Sequence, residues 1–125
     1  MKNVLFALFL FLSVPVFAAT TPLDIKTADG SYALKPPTQI DVRVLAANTA
    51  ESHTIPSGAK YVFFSSEACD FYARYSGTAA VPSGDVTDGT GSEVNPSVRY
   101  INGYTAISLI SSTACTVTMM FTQNP

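Results

Sequence analysis

The amino-acid sequence predicts an all-β protein, a compact antiparallel β-sandwich or jelly roll of about seven to eight strands. Three observations support this prediction. Short segments alternate apolar and polar residues with period two, and Gly, Pro and Asn separate these segments at short intervals. Beyond the N-terminal segment, no window has the period of an amphipathic helix. The chain of 125 residues has the length of a single domain of this kind.

The first 18 residues have the layout of a secretory signal peptide. Lys2 gives a positive start, residues 4–14 are apolar except for Ser13, and Ala18 is a small residue at the expected cleavage position. The alternative is a membrane anchor, but a span needs about twenty apolar residues and this run is shorter. We therefore expect residues 1–18 to be removed and the protein to be exported, to the periplasm or outside the cell.

Cleavage would leave 107 residues, with six Lys and Arg against nine Asp and Glu, a net charge of −3. A small acidic excess spread along the chain argues against nucleic acid and anionic membranes as partners. Residues 19–37 contain Pro22, Pro36 and Pro37 and predict an extended N-terminal arm or an irregular first strand. Residues 38–125 are expected to form the β-sandwich.

The first strand is predicted where Ile40, Val42 and Val44 alternate with Asp41 and Arg43, a pattern typical of a strand with one face toward water. The further strands are predicted at residues 52–55, 60–65, 69–75, 98–101, 105–110 and 114–122.

Two hairpins are expected among these strands. Segments 60–65 and 69–75 are close enough in sequence to form one hairpin. The Asn102-Gly103 pair, whose residues both tolerate positive φ, predicts a hairpin turn in the second. Residues 76–96, rich in Gly and Pro, predict a long loop.

The two cysteines, Cys69 and Cys115, each share the apolar phase of their segment, so both are expected to point into the core. In an exported protein such a pair is expected to form a disulfide, which would stabilise the fold by roughly 3–4 kcal/mol. The alternative is two buried thiols that never meet. Metal binding is not expected, because paired Cys motifs are absent and the chain has a single His.

Catalysis is not expected. His53 is the single histidine, and as a general base it would need a nucleophile and an orienting acid nearby. The sequence has no G-x-S-x-G motif, no phosphate-binding glycine loop and no metalloprotease motif. A small secreted hydrolase remains an alternative, but a surface histidine is favoured, and no cofactor is expected.

Two groups of residues are candidates for binding. Asp85, Asp88 and Glu93 could supply oxygen ligands to calcium, although a structured loop uses the same residue types and is favoured. Tyr72, Arg74, Tyr100 and Tyr104 could form a surface that stacks on sugars or contacts protein, against the alternative of a partly covered second sheet face.

The middle of the chain resembles small proteins encoded in tailed-phage structural gene clusters. The resemblance covers roughly residues 40–121 and lies in segments 55–64, 70–74, 79–82, 85–89, 93, 95–96, 99 and 114–118. It implies a small β-sandwich with a virion accessory or decoration role and no catalysis. The sequence departs from that group in its export leader and in Cys69, which favours a domain of this kind adapted for export.

The expected function is therefore that of an exported, non-catalytic β-sandwich with a structural, assembly or binding role, in the envelope or on a virion. Its expected partner is another protein or further copies of itself. The alternative is a carbohydrate- or surface-binding module.

Overall fold

A computed structural model describes residues 36–123. The predicted signal peptide and residues 19–35 of the predicted arm lie outside the described residues. Within them the chain forms eight strands and no helix, which confirms the all-β prediction. No helix there is long and apolar enough to cross a membrane. The strands are β1 (Gln39–Leu45), β2 (Glu51–Thr54), β3 (Tyr61–Ser66), β4 (Phe71–Arg74), β5 (Glu93–Val94), β6 (Val98–Tyr100), β7 (Ala106–Ser111) and β8 (Cys115–Thr122).

The strands form two four-stranded antiparallel sheets. Sheet A has the order β1-β8-β3-β6, and sheet B has the order β2-β7-β4-β5. The first strand pairs with the last, the second with the seventh, the third with the sixth and the fourth with the fifth. These nested pairs describe one long hairpin folded over on itself. The predicted β-sandwich is thus confirmed, in its jelly-roll form.

Both predicted hairpins are wrong, because their strands lie in different sheets. β3 belongs to sheet A and β4 to sheet B, and the same holds for β6 and β7. The backbone N–H of Tyr104 donates to the carbonyl of Ile101 at 3.0 Å, and within this turn only Gly103 has positive φ. Those features are typical of a type II turn and not of the hairpin turn that Asn-Gly favours. Each strand instead pairs with a strand distant in sequence.

The core lies between the two sheets and is built mainly from alternate residues of the strands. In β8, a central strand of sheet A, every second residue from Cys115 to Phe121 is buried. The rings of Phe64 in sheet A and Phe71 in sheet B meet at 5.7 Å between centroids. The largest fully buried apolar side chains are Leu45, Val62, Phe71, Ile101, Ile107, Leu109, Val117, Met119 and Phe121. Alternation of this kind is what the period-two pattern predicts.

A disulfide joins the two sheets at one end of the sandwich. Cys115 begins β8 in sheet A, and Cys69 lies just before β4 in sheet B, with 5.7 Å between their Cα atoms. Cys115 is buried and Cys69 packs against the core. The predicted Cys69–Cys115 bond and its inward direction are therefore confirmed.

The phase of β1 is the reverse of the prediction. Asp41 and Arg43 pair in register with Met119 and Val117 of β8, which are fully buried. Paired residues of an antiparallel ladder share a face, so the two charged side chains face the inside of the sandwich. Ile40, Val42 and Val44 face outward on the same strand.

Two polar pairs accommodate these inward charges. Arg43 forms an ion pair with Glu51, and the Nε2–H group of His53 donates to Asp41 Oδ2 at 2.9 Å. Both partners lie on β2, the edge strand of the opposite sheet, so the pairs close the border where the sheets separate. We call Asp41, Arg43, Glu51 and His53 the β1–β2 seam. Along this border, polar and charged pairs rather than apolar side chains join the two sheets.

Removing the disulfide should destabilise the fold. The bond closes a loop across a sequence separation of 46, and the chain-entropy model gives about 4 kcal/mol for such a loop. We expect the double variant Cys69→Ala/Cys115→Ala to unfold at a clearly lower urea concentration than the wild type. Reductant should shift the wild-type midpoint toward that of the variant and leave the variant unchanged. Equal midpoints would show that the bond adds no stability.

The seam should show energetic coupling between its two sides. Because Arg43 and Glu51 are only partly buried, we expect a coupling free energy of about 1 kcal/mol in a cycle of Arg43→Met and Glu51→Gln. Urea unfolding of the wild type, both single variants and the double variant measures it. A parallel cycle of Arg43→Met with Asp88→Asn serves as the control and should be additive. Additivity in both cycles would contradict the seam.

Candidate interaction surface

His53 lies in the β1–β2 seam and not at an open cleft. Its ring stacks on Phe121 at 5.8 Å between centroids, and its Nε2–H group is engaged by Asp41. Asp41 is thus the orienting acid that sequence reasoning did not find. Within residues 36–123, no hydroxyl is hydrogen-bonded to the ring, and the cysteines are joined to each other. The contacts of His53 therefore join β2 of sheet B to β1 and β8 of sheet A and help to hold the two sheets together.

The structure does not bring the three candidate calcium ligands together. Asp88 accepts hydrogen bonds from Thr90, from the backbone N–H at 2.9 Å and from the hydroxyl at 2.6 Å. These bonds lower the pKa of the Asp88 carboxyl. Glu93 forms an ion pair with Arg99, and Asp85 lines a surface hollow of about 260 Å³. In the described part of the chain, no group of three His, Cys, Asp or Glu side chains is placed to hold a metal ion.

Glu93 and Tyr104 instead belong to the second border of the sandwich. Arg99 of β6 donates from Nε to Glu93 of β5 at 2.8 Å, joining the edge strands of the two sheets. The rings of Tyr75 and Tyr104 lie beside this pair, 5.8 Å apart. The Tyr75 hydroxyl is buried and has no hydrogen-bond partner within residues 36–123. Burial raises the pKa of Tyr75 to about 12, with a smaller rise from Tyr104 opposed by the charge of Arg99.

The outer face of sheet B is covered by the long loop. Ser108 and Ile110 of β7 face outward but are buried. The backbone N–H of Ala79 donates to the Ser108 hydroxyl at 2.9 Å, so the loop runs directly over this face. At Gly77, where φ is +152°, a Cβ atom would lie 3.2 Å from the Arg74 guanidinium carbon. Tyr72 and Arg74 are accordingly half-buried beneath or beside the loop.

The four aromatic and basic candidates therefore do not form one surface. Tyr72 and Arg74 project from the outer face of sheet B, because their neighbours Phe71 and Ala73 are buried in the core. Tyr100 projects from sheet A, where it pairs with Tyr61. Tyr104 packs against Tyr75 in the turn between the sheets.

The outer face of sheet A is uncharged across all four strands. Ile40 of β1 pairs with Met120 of β8, Met120 with Phe63 of β3, and Phe63 with Val98 of β6, which makes one apolar row. The other outward residues of the four strands are Val42, Val44, Tyr61, Ser65, Tyr100, Thr116, Thr118 and Thr122. We call this set, with the apolar row, the outer A face.

This face is exposed on its two edge strands, β1 and β6, whereas the outer face of sheet B is covered. The side chains of Ile40 and Val42 are each 58% exposed and that of Val44 is 73% exposed, and Tyr100 is also exposed. Four strands about 4.8 Å apart and up to eight residues long give an area on the order of 400 Å². Exposed apolar patches on a protein surface are often interaction sites.

Sequence reasoning missed the outer A face because a strand with one face toward water is expected to turn its charged residues, Asp41 and Arg43, to that face. The alternation itself has no direction, since an amphipathic strand looks the same whichever face is buried. A signal was present in residues 116, 118 and 122, all Thr, which alternate with the buried residues of the last strand. Pairing of that strand with β1, which sequence does not reveal, decides which side is outside.

Comparison of the chain with family models, with curated proteins and with solved structures finds no match.

Tyr75 should be detectable by its titration. An absorbance titration of the phenols should show a step near pH 12 that Tyr75→Phe lacks and Tyr100→Phe keeps. The free energy of unfolding should fall as pH rises from 10.0 toward 12, because the unfolded chain releases this proton at about 10.0 while the folded chain retains it. In Tyr75→Phe that part of the loss should vanish. A variant that matches the wild type in both measurements would contradict the burial of this phenol.

Proposed function

We propose that the protein is an exported, non-catalytic assembly protein that binds another protein surface through the outer A face. The observation that carries this proposal is the contrast between the two sheets. The outward Ser108 and Ile110 of sheet B are covered by the chain's own loop, whereas Ile40, Val42 and Val44 of sheet A stand open to solvent.

The chemistry of the outer A face suits a protein partner. Burial of apolar side chains stabilises a complex by about 25 cal/mol per Å² before the cost of association. The rings of Tyr61 and Tyr100 meet edge to face at 5.1 Å, and Tyr is enriched at protein interfaces. The hydroxyls of Thr116 and Thr118 add hydrogen-bonding groups without the desolvation penalty of a charge.

The absence of charge also argues against other partners. Nucleic acids and anionic membranes attract basic surfaces, and no Lys or Arg projects from the four strands of this face. A catalytic role has less support, because the imidazole of His53 is held by Asp41 and stacked on Phe121 in the seam.

The compartment in which the protein acts is proposed from the sequence. The N-terminal pattern of residues 1–18 supports export, and a disulfide is compatible with an oxidising compartment. The resemblance to proteins of tailed-phage structural gene clusters supports a role as an accessory component of a larger structure, either a virion or a cell envelope. No functional residues are carried over from that group.

Site-specific photocrosslinking in the cells that produce the protein tests the proposal. With a photoreactive phenylalanine at position 100 on the outer A face, irradiation should yield a defined covalent protein adduct, identified by mass spectrometry. The same residue at position 72, on the covered sheet, serves as the control and should yield none. The adduct should be lost when Val98→Lys is added, because a buried charge opposes docking.

The matched control for that charge is Val94→Lys, since Val94 is an exposed valine on an edge strand of sheet B. It should leave the adduct unchanged. Crosslinking that is equal at positions 72 and 100, or insensitive to Val98→Lys, would contradict use of this face. If a purified glycan binds the protein and position 100 yields no protein adduct, the result would instead support the carbohydrate-binding alternative.

A further inference from the structure

The four edge strands of the sandwich differ in length. β2 has four residues, β5 two and β6 three, whereas β1 has seven. A very short edge strand offers few free backbone groups to another chain, while a long edge strand is a template for pairing. In the described part of the chain, β1 is the one edge strand long enough for extended pairing.

β1 also lacks the features that usually block such pairing. Its register with β8 runs without a bulge over seven consecutive pairs, and it contains no proline. Its outer face carries β-branched Ile40, Val42 and Val44. Inward charges normally deter strand addition, because a partner would bury them unpaired. Here Asp41 and Arg43 already have partners in the seam, so that deterrent is weakened.

We infer that β1 pairs antiparallel with β1 of a second copy, about a two-fold axis at Val42. This inference goes beyond the proposed function, since it concerns the free edge of β1 and leaves most of the outer A face to another partner. In this register Val42 lies opposite itself, and Ile40 lies opposite Val44 of the second copy. The two A sheets then form one sheet of eight strands, and β-branched side chains pair across the axis, which favours the pairing.

The charges of β1 select this register. With the axis at Val42, Asp41 lies opposite Arg43 of the second copy, and Arg43 lies opposite Asp41. An axis at Asp41 would place two carboxylates opposite each other, and an axis at Arg43 two guanidinium groups. Opposite charges at paired positions stabilise a ladder and like charges destabilise it. The sequence of β1 is therefore complementary to itself in one antiparallel register.

The ends of the strand fit the same register. Pro36 and Pro37 precede β1 and cannot donate backbone hydrogen bonds to a further strand. After Leu45 the chain bends away toward sheet B, where the N–H of Asn48, at a φ of 54°, donates to the carbonyl of Ser111. Pairing centred on Val42 uses all of Gln39–Leu45 and stops where both chains leave the strand.

Edge pairing is favoured over stacking of two outer A faces. Stacking of two copies would cover the outer A face and leave no part of it for the proposed protein partner. Edge pairing gains main-chain hydrogen bonds as well as side-chain contacts, so it depends less on area. It also leaves most of the face, from β8 to β6, free for the proposed protein partner.

Charge variants at the axis test the inference. The protein is produced from the full sequence, including its N-terminal segment. Its molar mass is measured by size-exclusion chromatography with light scattering over a series of concentrations. We expect a dimer that dissociates on dilution. Val42→Lys and Val42→Glu should each be monomeric, because each places like charges opposite each other. Mixing the two variants should restore a dimer containing one copy of each, because Lys then lies opposite Glu.

Thr54→Lys is the matched control, since Thr54 is an exposed residue on the edge strand β2 of the other sheet. It should dimerise like the wild type. Circular dichroism and urea unfolding check that the position-42 variants remain folded, as expected where the wild-type side chain is largely exposed. A monomeric wild type, a dimer that persists in Val42→Lys, or a failure of the two variants to combine would each overturn the inference.

The two proposals fail separately. If the wild type is monomeric but position 100 still crosslinks to a different protein, self-pairing through β1 is wrong and the proposed function stands. If the dimer behaves as expected but position 100 yields no adduct, the outer A face does not serve as proposed while the self-pairing is retained.

Discussion

The inward direction of Asp41 and Arg43 is the constraint on which the surface chemistry of this protein depends. A charge between two sheets is stable only when it is paired, and β2 supplies His53 and Glu51 at the matching height. Because strand residues alternate, turning these two charges inward turns Ile40, Val42 and Val44 outward. One set of polar contacts inside the sandwich thus produces the apolar border outside it.

The second border uses the same solution with different residues. Arg99 and Glu93 join the edge strands β6 and β5, and the aromatic rings of Tyr75 and Tyr104 pack beside them. The sandwich is therefore closed along both borders by ion pairs and at one end by the disulfide. Directional contacts thus hold the borders, where apolar packing between the sheets would be incomplete.

Sequence predicts the strands of this fold better than it predicts their partners. Period two in residues such as 115–121 is local, and it correctly gives the buried phase of β8 and of Cys115. Which face of β1 is buried depends on the strand that β1 pairs with and on the ion pair between Arg43 and Glu51. Both involve residues outside the strand itself. The Asn102-Gly103 turn was assigned correctly as a turn but joined strands of different sheets, because turn chemistry does not encode the destination of the chain.

For the candidate site residues too, sequence indicates the residue type but not the partner that each residue has in the fold. Asp88 and Glu93 were singled out by residue type, but a carboxylate in a loop can as well cap its own turn or pair with an arginine, as these two do. The cysteine pair was predicted correctly because the inward phase of each cysteine can be read from the local alternation of its own segment. The outer A face could not be derived, since its members come from four strands whose order is known only from the fold.

The pairing of the first strand with the last also governs when the molecule can form. β1 lies against β8 along its full length, so β1 has its complete partner in the sheet only after residues up to Phe121 have been synthesised. Contacts between the two chain ends carry the largest loop-closure cost and form slowly. The emerging chain therefore cannot complete sheet A before β8 has been synthesised.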